Sequence, residues 1–475
     1  MVTFLTMSLI HLSCFLIHPN RSQIGGRTLL IFFLFTRLSS FFSQPLFEDD
    51  YYRYLWDGIV GSHLGNALVI SPDEVLLETN MVVNEPWRSE EISWRRQLLP
   101  RNDLTDLLLK INHPESPSIY GPAGQILLAV HNLPLRVLDS LYDNWTPSLT
   151  FRVQWLRAFL ITLEAYALFL FLRWSRLRGW GNGPTLLLVS CPLLLKEVSN
   201  SLHLDILPML LVLGALLAYE KKKCSGPILL ALATGVKAYS FVLLPIFLIR
   251  SPRPFRDTFL YATTLGVLYL PFLYSGGEEI FSGTRYFSHQ WSMNDGLTAL
   301  FREVLYHTLG EEFYKTTLAP IGAIEVSSVQ SLSRKIGLGL FLFFAVGLTL
   351  KRRHSLRSHG TFLTTLSDLL FLLIICSPVQ NPWYLIWGLP FFIASQRKAA
   401  MVMVALSPLY LSNFIWEPSS HLLHDPFQWW VIIPQILCLA VFINEISVSR
   451  TSQLPKVPEE DTHTWAHDHW TRREK

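Results

Sequence analysis

Long apolar runs alternate with polar segments along most of the chain, and this alternation predicts the elements of the fold. A helix needs about 20 apolar residues to cross ~30 Å of hydrocarbon, and several runs approach that length. Counting one interrupted run as two, thirteen membrane segments are predicted, within residues 3–17, 29–42, 151–172, 184–195, 206–219, 227–249 (the interrupted run), 259–274, 336–350, 362–376, 385–394, 402–414 and 429–443. The pattern therefore predicts an all-α polytopic membrane protein with about 11–13 transmembrane helices.

Basic residues mark one side of the membrane. They concentrate between the first two segments and in the short loops that follow residues 172, 219, 249, 350 and 394. By the positive-inside rule these loops are cytoplasmic, so the N-terminus lies outside and the C-terminus inside. We expect one membrane domain over 1–446, with outer loops at about 44–150 and 275–334, and a disordered cytoplasmic tail over 447–475. The histidines of that tail, His463, His467 and His469, fit solvated residues better than a metal site.

Two shorter apolar runs need a different interpretation. The run that begins at Ile119–Gln125 has about ten apolar residues, too few to span, and is expected to be an interfacial helix on the outer face. The run at 227–249 has basic loops at both ends, which a single crossing would place on opposite sides. Two short helices that enter and leave on the cytoplasmic side, with Gly235-Val236-Lys237 as the turn, remove that conflict.

Lys237 would then lie at depth in the membrane. A lysine there is costly unless it lines a wet cavity or meets an anion. The alternative is that its side chain extends to an interface and has no function. We favour the functional interpretation.

Composition agrees with a membrane protein and excludes other classes. Of the 475 residues, 50% are hydrophobic and 16% are charged, whereas soluble domains carry about 25% charged residues. A net charge of +3 is too small to indicate nucleic-acid binding. The five cysteines lie singly, without the spacing of a zinc or redox motif.

Candidate chemistry begins at Glu48–Gly58, which reads EDDYYRYLWDG and follows the second segment. Four acids alternate there with three tyrosines and a tryptophan. Aromatic faces pack on sugar C–H groups, carboxylates accept hydroxyl hydrogen bonds, and Arg53 could pair with an acid or a phosphate. The alternative is an interfacial aromatic belt, but a belt rarely needs three acids so close together.

Further polar clusters are predicted on the same outer face. They are Asp49/Asp50/Arg53, Glu197/His203/Asp205, Arg285/His289/Asn294/Asp295 and Asn381/Trp383/Tyr384. Lys237 would approach them from below. Acids, cations and aromatic rings at a lipid–water boundary suit a substrate with a lipid tail, a phosphate and a sugar, because they can act as base, phosphate ligand and ring platform.

The run Asp50–Gly58 resembles the signature Asp-x-Tyr-Arg-Tyr-Leu-Trp-Asp-Gly in the first outer loop of GT-C glycosyltransferases, near the bacterial polyprenyl-phosphate-mannose-dependent mannosyltransferases. Other motifs of that family have counterparts in the same order, up to Tyr384. They are Ile119-Tyr120-Gly121-Pro122 with Gln125, Glu197 with His203-x-Asp205, Gly235-Val236-Lys237, Trp291-Ser292-Met293-Asn294-Asp295, and Ser377-Pro378 with Asn381-Pro382-Trp383-Tyr384. Gly121 stands where the family usually has a proline, which leaves the geometry of that loop open.

The resemblance implies a GT-C-like bundle whose large first extracytoplasmic loop carries interfacial helices. It implies inverting transfer of a hexose, mannose in that family, from a polyprenyl-phosphate sugar to a glycan or lipid acceptor. Asp50 would be the general base, with Asp49 as its substitute. The donor phosphate would be bound by Arg53, Lys237, Arg285 and His289. Sugar or acceptor would be bound by Tyr54, Trp56, Asp57, Glu197, His203, Asp205, Asn294, Asp295, Trp383 and Tyr384.

The same resemblance implies a reaction that is metal-independent or weakly assisted by a divalent cation, in a multi-pass protein of the bacterial inner membrane whose site faces the periplasm or exterior. Two other functions fit the class. A lipid-linked-sugar flippase would place ionisable groups at mid-membrane and show internal repeats, whereas this chain crowds them at one face and shows no repeat. A non-catalytic subunit of a glycosylation complex would tolerate Asp50→Asn, which an enzyme with this base would not.

Overall fold

The computed structural model of the chain describes residues 1–17, 25–63, 65–75, 102–142, 147–309, 329–412 and 429–448. The α-helices are Val2–Leu16, Gly26–Phe41, Asp50–Ser62, Asn102–Leu108, Pro122–Leu141, Leu149–Leu177, Gly183–Val189, Pro192–Leu194, Ile206–Glu220, Ser225–Val236, Leu244–Arg250, Pro254–Gly276, Ser282–Gln290, Gly296–Leu309, Val329–Arg352, His359–Ile375, Leu389–Ala394, Lys398–Leu406 and Trp429–Val448. A π-helix covers Leu195–Asn200, and 3-10 helices cover Ala238–Leu243, Gly277–Phe281, Pro382–Trp387 and Ser407–Leu411. The described residues contain no β-strand, which confirms the all-α class.

Many of the helices are apolar enough to lie in a membrane. Three can cross one by length and composition: Leu149–Leu177, Pro254–Ser288 and Ser331–Arg352. Seven shorter apolar helices accompany them in the described part of the chain. The helix Pro254–Gly276 also exposes large apolar side chains, among them Phe259 and Leu270. An exposed apolar face of this kind fits contact with lipid, so the multi-pass membrane class is confirmed.

The predicted cytoplasmic loops lie together at one end of the bundle. Arg178, which ends the helix Leu149–Leu177, pairs with Glu220 at 2.5 Å, and His359 approaches the same carboxylate at 2.9 Å. Arg352 and Arg397 both pair with the buried Asp368 at 2.7 Å. Acids near these loops are thus bound by their basic residues, which lie at the end of the apolar bundle that is predicted to be the inner one.

The predicted break in the run 227–249 is confirmed. The helix Ser225–Val236 ends before Lys237, whose backbone is extended (φ −140°, ψ 124°), and a 3-10 helix continues from Ala238. The second half ends at Arg250, whose guanidinium lies 4.6 Å from the ring centre of Phe362 near the inner end. The two halves therefore begin and end at the same side, as the basic loops require.

Three predicted segments differ in extent. The interfacial helix is twenty residues long, Pro122–Leu141, because it continues through Pro134 beyond the apolar run. The segment predicted at 184–195 is interrupted after Val189 and continues as the π-helix to Asn200. The segment predicted at 385–394 is a 3-10 helix followed by a helix of six residues. In the last two cases a proline begins the new piece, since proline cannot donate a helical hydrogen bond. The predicted tail beyond Val448 lies outside the described residues.

This arrangement predicts opposite accessibility for two cysteine positions. Cys224 is exposed beside the basic loop 221–223, and Glu115 is exposed in the first outer loop. In a Cys14→Ser background, a membrane-impermeant maleimide should label the Glu115→Cys variant in intact cells. Cys224 should react only after the membrane is opened. Labelling of both positions in sealed cells would contradict the topology.

Candidate active site

The first outer loop is held in place by two helices that pack very closely. Asp50–Ser62 crosses Pro122–Leu141 at Gly58, where an added Cβ would lie 2.8 Å from the carbonyl oxygen of Leu128. Deeper in the same interface, the buried Asp57 accepts hydrogen bonds from Ser118 (2.5 Å) and Gln125 (2.9 Å). Because both helices are fixed, the N-terminal end of the first one presents Asp49 and Asp50 in a defined position.

The segment before this helix is attached to the π-helix by Asn200. The Asn200 side chain accepts a hydrogen bond from the Leu46 amide (2.9 Å) and donates to Ser43 (2.7 Å) and to the Gln44 carbonyl (2.8 Å). π-Helices are rare and often occur at functional sites. Here the π-helix itself carries Lys196 and Glu197 and lies against the start of the first outer loop.

Asp49 and Asp50 form a carboxylate pair bridged by one amide. Asn112 Nδ2 donates to Asp49 (2.6 Å) and to Asp50 (2.9 Å). Burial of its carboxyl group and the neighbouring charge of Asp50 raise the pKa of Asp49 to about 6, against the opposing effect of the Asn112 hydrogen bond. Two adjacent carboxylates in which one holds its proton more tightly are typical of acid–base sites.

His203 stands between Asp50 and Glu197. Its Nδ1 lies 3.8 Å from an Asp50 oxygen and its Nε2 lies 3.3 Å from a Glu197 oxygen. The imidazole is fully buried and stacks on Trp383, with ring centres 3.8 Å apart and planes at 15°. The stacking fixes the ring plane, so both nitrogens remain directed at the two acids.

Lys237 reaches the same region from the turn between the two short helices. Its ammonium pairs with Asp205 at 2.7 Å, and Trp387 Nε1 donates to the same carboxylate oxygen at 2.6 Å. Three aromatic rings surround the ammonium, those of Tyr120, Tyr384 and Trp387, at 4.8–5.4 Å from their centres. One carboxylate and the ring faces thus hold the ammonium in a fixed position.

A cavity of about 510 Å³ opens between these groups. Its lining combines the carboxylate Asp50 and the guanidinium of Arg53 with polar and aromatic side chains: Tyr54, Asn112, His113, Ser116, Pro117, Ile119, Tyr120, Phe287, Trp291, Asn381, Trp383 and Tyr384. Arg53 donates to the carbonyls of Ser116 (2.9 Å) and His113 (2.8 Å), which directs its guanidinium along the cavity wall. The mixture of ring faces and charged groups suits a sugar attached to an anion.

Gly121 contributes to this cavity through its backbone. Its amide donates to the Val236 carbonyl at 3.1 Å, and a Cβ at this position would collide with the carbonyl of Gly235. A proline, which has no N–H, could not make this bond. The glycine therefore lets Tyr120 and the turn at Lys237 approach each other.

Two further motifs are joined by backbone pairing. Met293 and Val379 form an isolated parallel bridge, with the Met293 amide donating to the Pro378 carbonyl at 3.1 Å. Asp295 accepts hydrogen bonds from Ser292 (2.6 Å) and Arg302 (2.7 Å). The loop that carries Trp291 is thereby held against the turn that carries Trp383.

The structure brings most of the predicted site residues together. Asp50, Arg53, Tyr54, Trp383 and Tyr384 line the cavity, and Asp49, His203, Glu197, Asp205 and Lys237 lie within one or two contacts of that lining. Others lie elsewhere. Trp56 is buried outside the cavity lining, and Asp57 is buried in the helix interface. Asn294 and Asp295 are held in the supporting loop, and Arg285 is exposed beside Glu279 at 3.8 Å. The side chain of His289 lies outside the described residues.

Three residues of the site were missed in the sequence. Asn112 lies in a polar stretch without periodicity, and Trp387 reads as the start of an apolar segment. Lys196 was passed over although a lysine directly after the apolar run 184–195 is itself a signal. It bonds to Glu48 and lies 3.3 Å from Glu197. Among the described residues, Glu48, Glu197 and His203 form a group that could hold a metal ion.

Comparison with known families agrees with this geometry. A family model described as the MptB C-terminal domain matches residues 313–445. A family model described as glycosyltransferase family 87 matches residues 134–378, more than half of the chain. No curated protein and no solved structure matches the chain. The resemblance to membrane glycosyltransferases found in the sequence is confirmed, and the chain belongs to glycosyltransferase family 87.

Proposed function

We propose that this membrane glycosyltransferase moves mannose from a polyprenyl-phosphate sugar to a hydroxyl of a glycan or lipid acceptor, with inversion, at the extracytoplasmic face. The family match supports sugar transfer, and the MptB C-terminal domain match supports mannose. The cluster of basic residues at the opposite end of the bundle supports an outward-facing cavity. We place the protein in a bacterial inner membrane.

The observation that carries the proposal is the position of Asp50. Its carboxylate lines the aromatic cavity and takes a hydrogen bond from Asn112, while His203 lies 3.8 Å from its second oxygen. In the proposed step Asp50 takes the proton of the acceptor hydroxyl as the acceptor oxygen bonds to the anomeric carbon. The bond from that carbon to the phosphate oxygen breaks, and polyprenyl phosphate leaves.

The leaving phosphate needs positive charge more than it needs a proton, because a phosphate monoester is already a good leaving group. Arg53 lines the cavity, and the Lys237 ammonium lies against the rings of Tyr120 and Tyr384, which also line it. The fixed positions of these two cations favour stabilisation of charge as it develops. Tyr54, Trp383 and Tyr384 offer ring faces and hydroxyl groups for the sugar. We assign acceptor or donor hydroxyl contacts to His203 and Asp205.

Asp50→Asn should reduce the turnover of transfer by about 10²–10⁴-fold, because an amide cannot take the hydroxyl proton. The assay supplies purified protein with radiolabelled polyprenyl-phosphate mannose, and in parallel the glucose donor. Asp106→Asn is the matched control, since Asp106 is exposed outside the cavity on the helix Asn102–Leu108. Full activity in the Asp49→Asn/Asp50→Asn double variant would refute the base assignment.

Transfer should decline as pH falls through about 6, the value to which the pKa of Asp49 is raised. Above that pH Asp49 is charged, and below it the negative charge beside the proposed base is lost. In Asp49→Asn this step in the pH–rate profile should disappear while activity at pH 7.5 is reduced. Complete loss of activity at every pH would instead make Asp49 the base.

Lys237→Met should lower turnover by about 10²–10³-fold, since the phosphate loses a preorganised cation. Removing Lys237 alone also leaves the buried Asp205 carboxylate without its cation, which destabilises the fold. The double variant Lys237→Met/Asp205→Asn removes both charges, so the loss of turnover is measured in a folded protein. Thermal unfolding monitors the fold of both. Wild-type turnover in the folded double variant would contradict a role for Lys237 at the phosphate.

A further inference from the structure

Lys196 lies in a buried group of charges beside the cavity. Its ammonium bonds to Glu48 and lies 3.3 Å from Glu197, and the side chains of all three residues are at most 5% exposed. Adjacent residues on a helix face different directions, but the π-helix is enclosed on all sides: every residue from Lys196 to Asn200 is buried. Lys196 therefore occupies the space between two carboxylates that come from different parts of the chain.

The same surroundings meet the requirements of a metal site. One ligand atom each from Glu48, Glu197 and His203 lie within 4.8 Å of one another. Carboxylate oxygens and an imidazole nitrogen are ligands for Zn²⁺ and Mn²⁺, and small shifts of these side chains would bring them to bonding distance.

Several buried polar atoms of this group have no hydrogen-bond partner in the part of the chain that the structure describes and are available to a cation. His203 is fully buried, and neither of its ring nitrogens makes a hydrogen bond within the described residues. The second oxygen of Glu48 is likewise buried without a hydrogen-bond partner there. Buried polar atoms are normally paired, so these atoms form a ligand set that the ammonium satisfies only in part.

We propose that the Lys196 ammonium takes the place of a divalent cation in a site whose ligands are Glu48, Glu197 and His203, and that removing this ammonium opens the site to one metal ion. The lysine supplies the positive charge that keeps the two carboxylates together beside His203 and, through it, near Asp50. A built-in cation makes the arrangement independent of metal supply. The lysine and the metal ion exclude each other, because both need the same carboxylate oxygens.

The test is metal binding to the purified full-length protein after dialysis against a chelator. Mn²⁺ is titrated and followed by calorimetry and by its electron paramagnetic resonance signal. Wild type should bind no stoichiometric Mn²⁺ at this group. Lys196→Ala should bind one equivalent at least about tenfold more tightly than wild type does, with a rise in thermal unfolding temperature on adding Mn²⁺.

Two variants locate the effect. Lys196→Ala/Glu197→Gln removes a ligand and should lose most of the gained binding. Lys237→Ala is the matched control, because it also removes a buried ammonium from a carboxylate, and the described contacts around the vacated space are Asp205 and aromatic rings. The Lys237→Ala protein should bind no additional equivalent of Mn²⁺.

Three results would overturn the proposal. The first is an equivalent of Mn²⁺ bound by wild type and lost in Glu197→Gln, since the lysine would then not replace the metal. The second is a folded Lys196→Ala protein that binds no more Mn²⁺ than wild type. The third result concerns a Lys196→Ala protein that does not fold. The proposal is then overturned if neither Mn²⁺ nor Zn²⁺, added during purification, restores the fold. Binding is measured without sugar transfer, so the outcome is independent of the function proposed above.

Discussion

A carboxylate buried against an apolar helical bundle must be given a cation or a hydrogen-bond donor, and the architecture of this site follows from that requirement. Glu48 is paired with Lys196, and Asp205 with Lys237, each across a long separation in the chain. Satisfying these acids ties the first outer loop and the deep turn to the helices behind them. Asp50, beside the two pairs, is left with a single amide donor and faces the cavity.

The carboxylates near the site fall into two kinds: those that support the structure and the one proposed to react, Asp50. Asp57 accepts two hydrogen bonds inside a helix interface, and Asp295 accepts from an arginine and a serine. Neither carboxylate lines the aromatic cavity, so both acids fix geometry and do not face the substrate. Asp50 keeps one oxygen directed at His203 at 3.8 Å, which is long enough for a substrate group to compete.

The same requirement shapes the opposite end of the molecule. Asp368 lies fully buried and is shared by two arginines that come from different loops, while Glu220 is shared by Arg178 and His359. These pairs order the basic loops, and aromatic rings pack beside them, such as Phe362 against Arg250. Charge is thus abundant at both ends, and at the outer end it lines the aromatic cavity, the combination that fits a sugar phosphate.

The sequence by itself determined the all-α membrane class, the grouping of the basic loops at one end and the break before Lys237, and it drew attention to Glu48–Gly58. These follow from hydrophobicity, charge bias and local motif, which are properties of contiguous residues. Asp50, Tyr54 and Asp57 are spaced i, i+4 and i+7 and share one face of their helix. Only the tertiary structure decided that Asp57 supports a helix interface while Asp50 and Tyr54 reach the cavity. It alone paired Asn112 with the two aspartates, and it placed Trp387 on Asp205, since hydrogen bonds between distant segments leave no periodic trace in the chain.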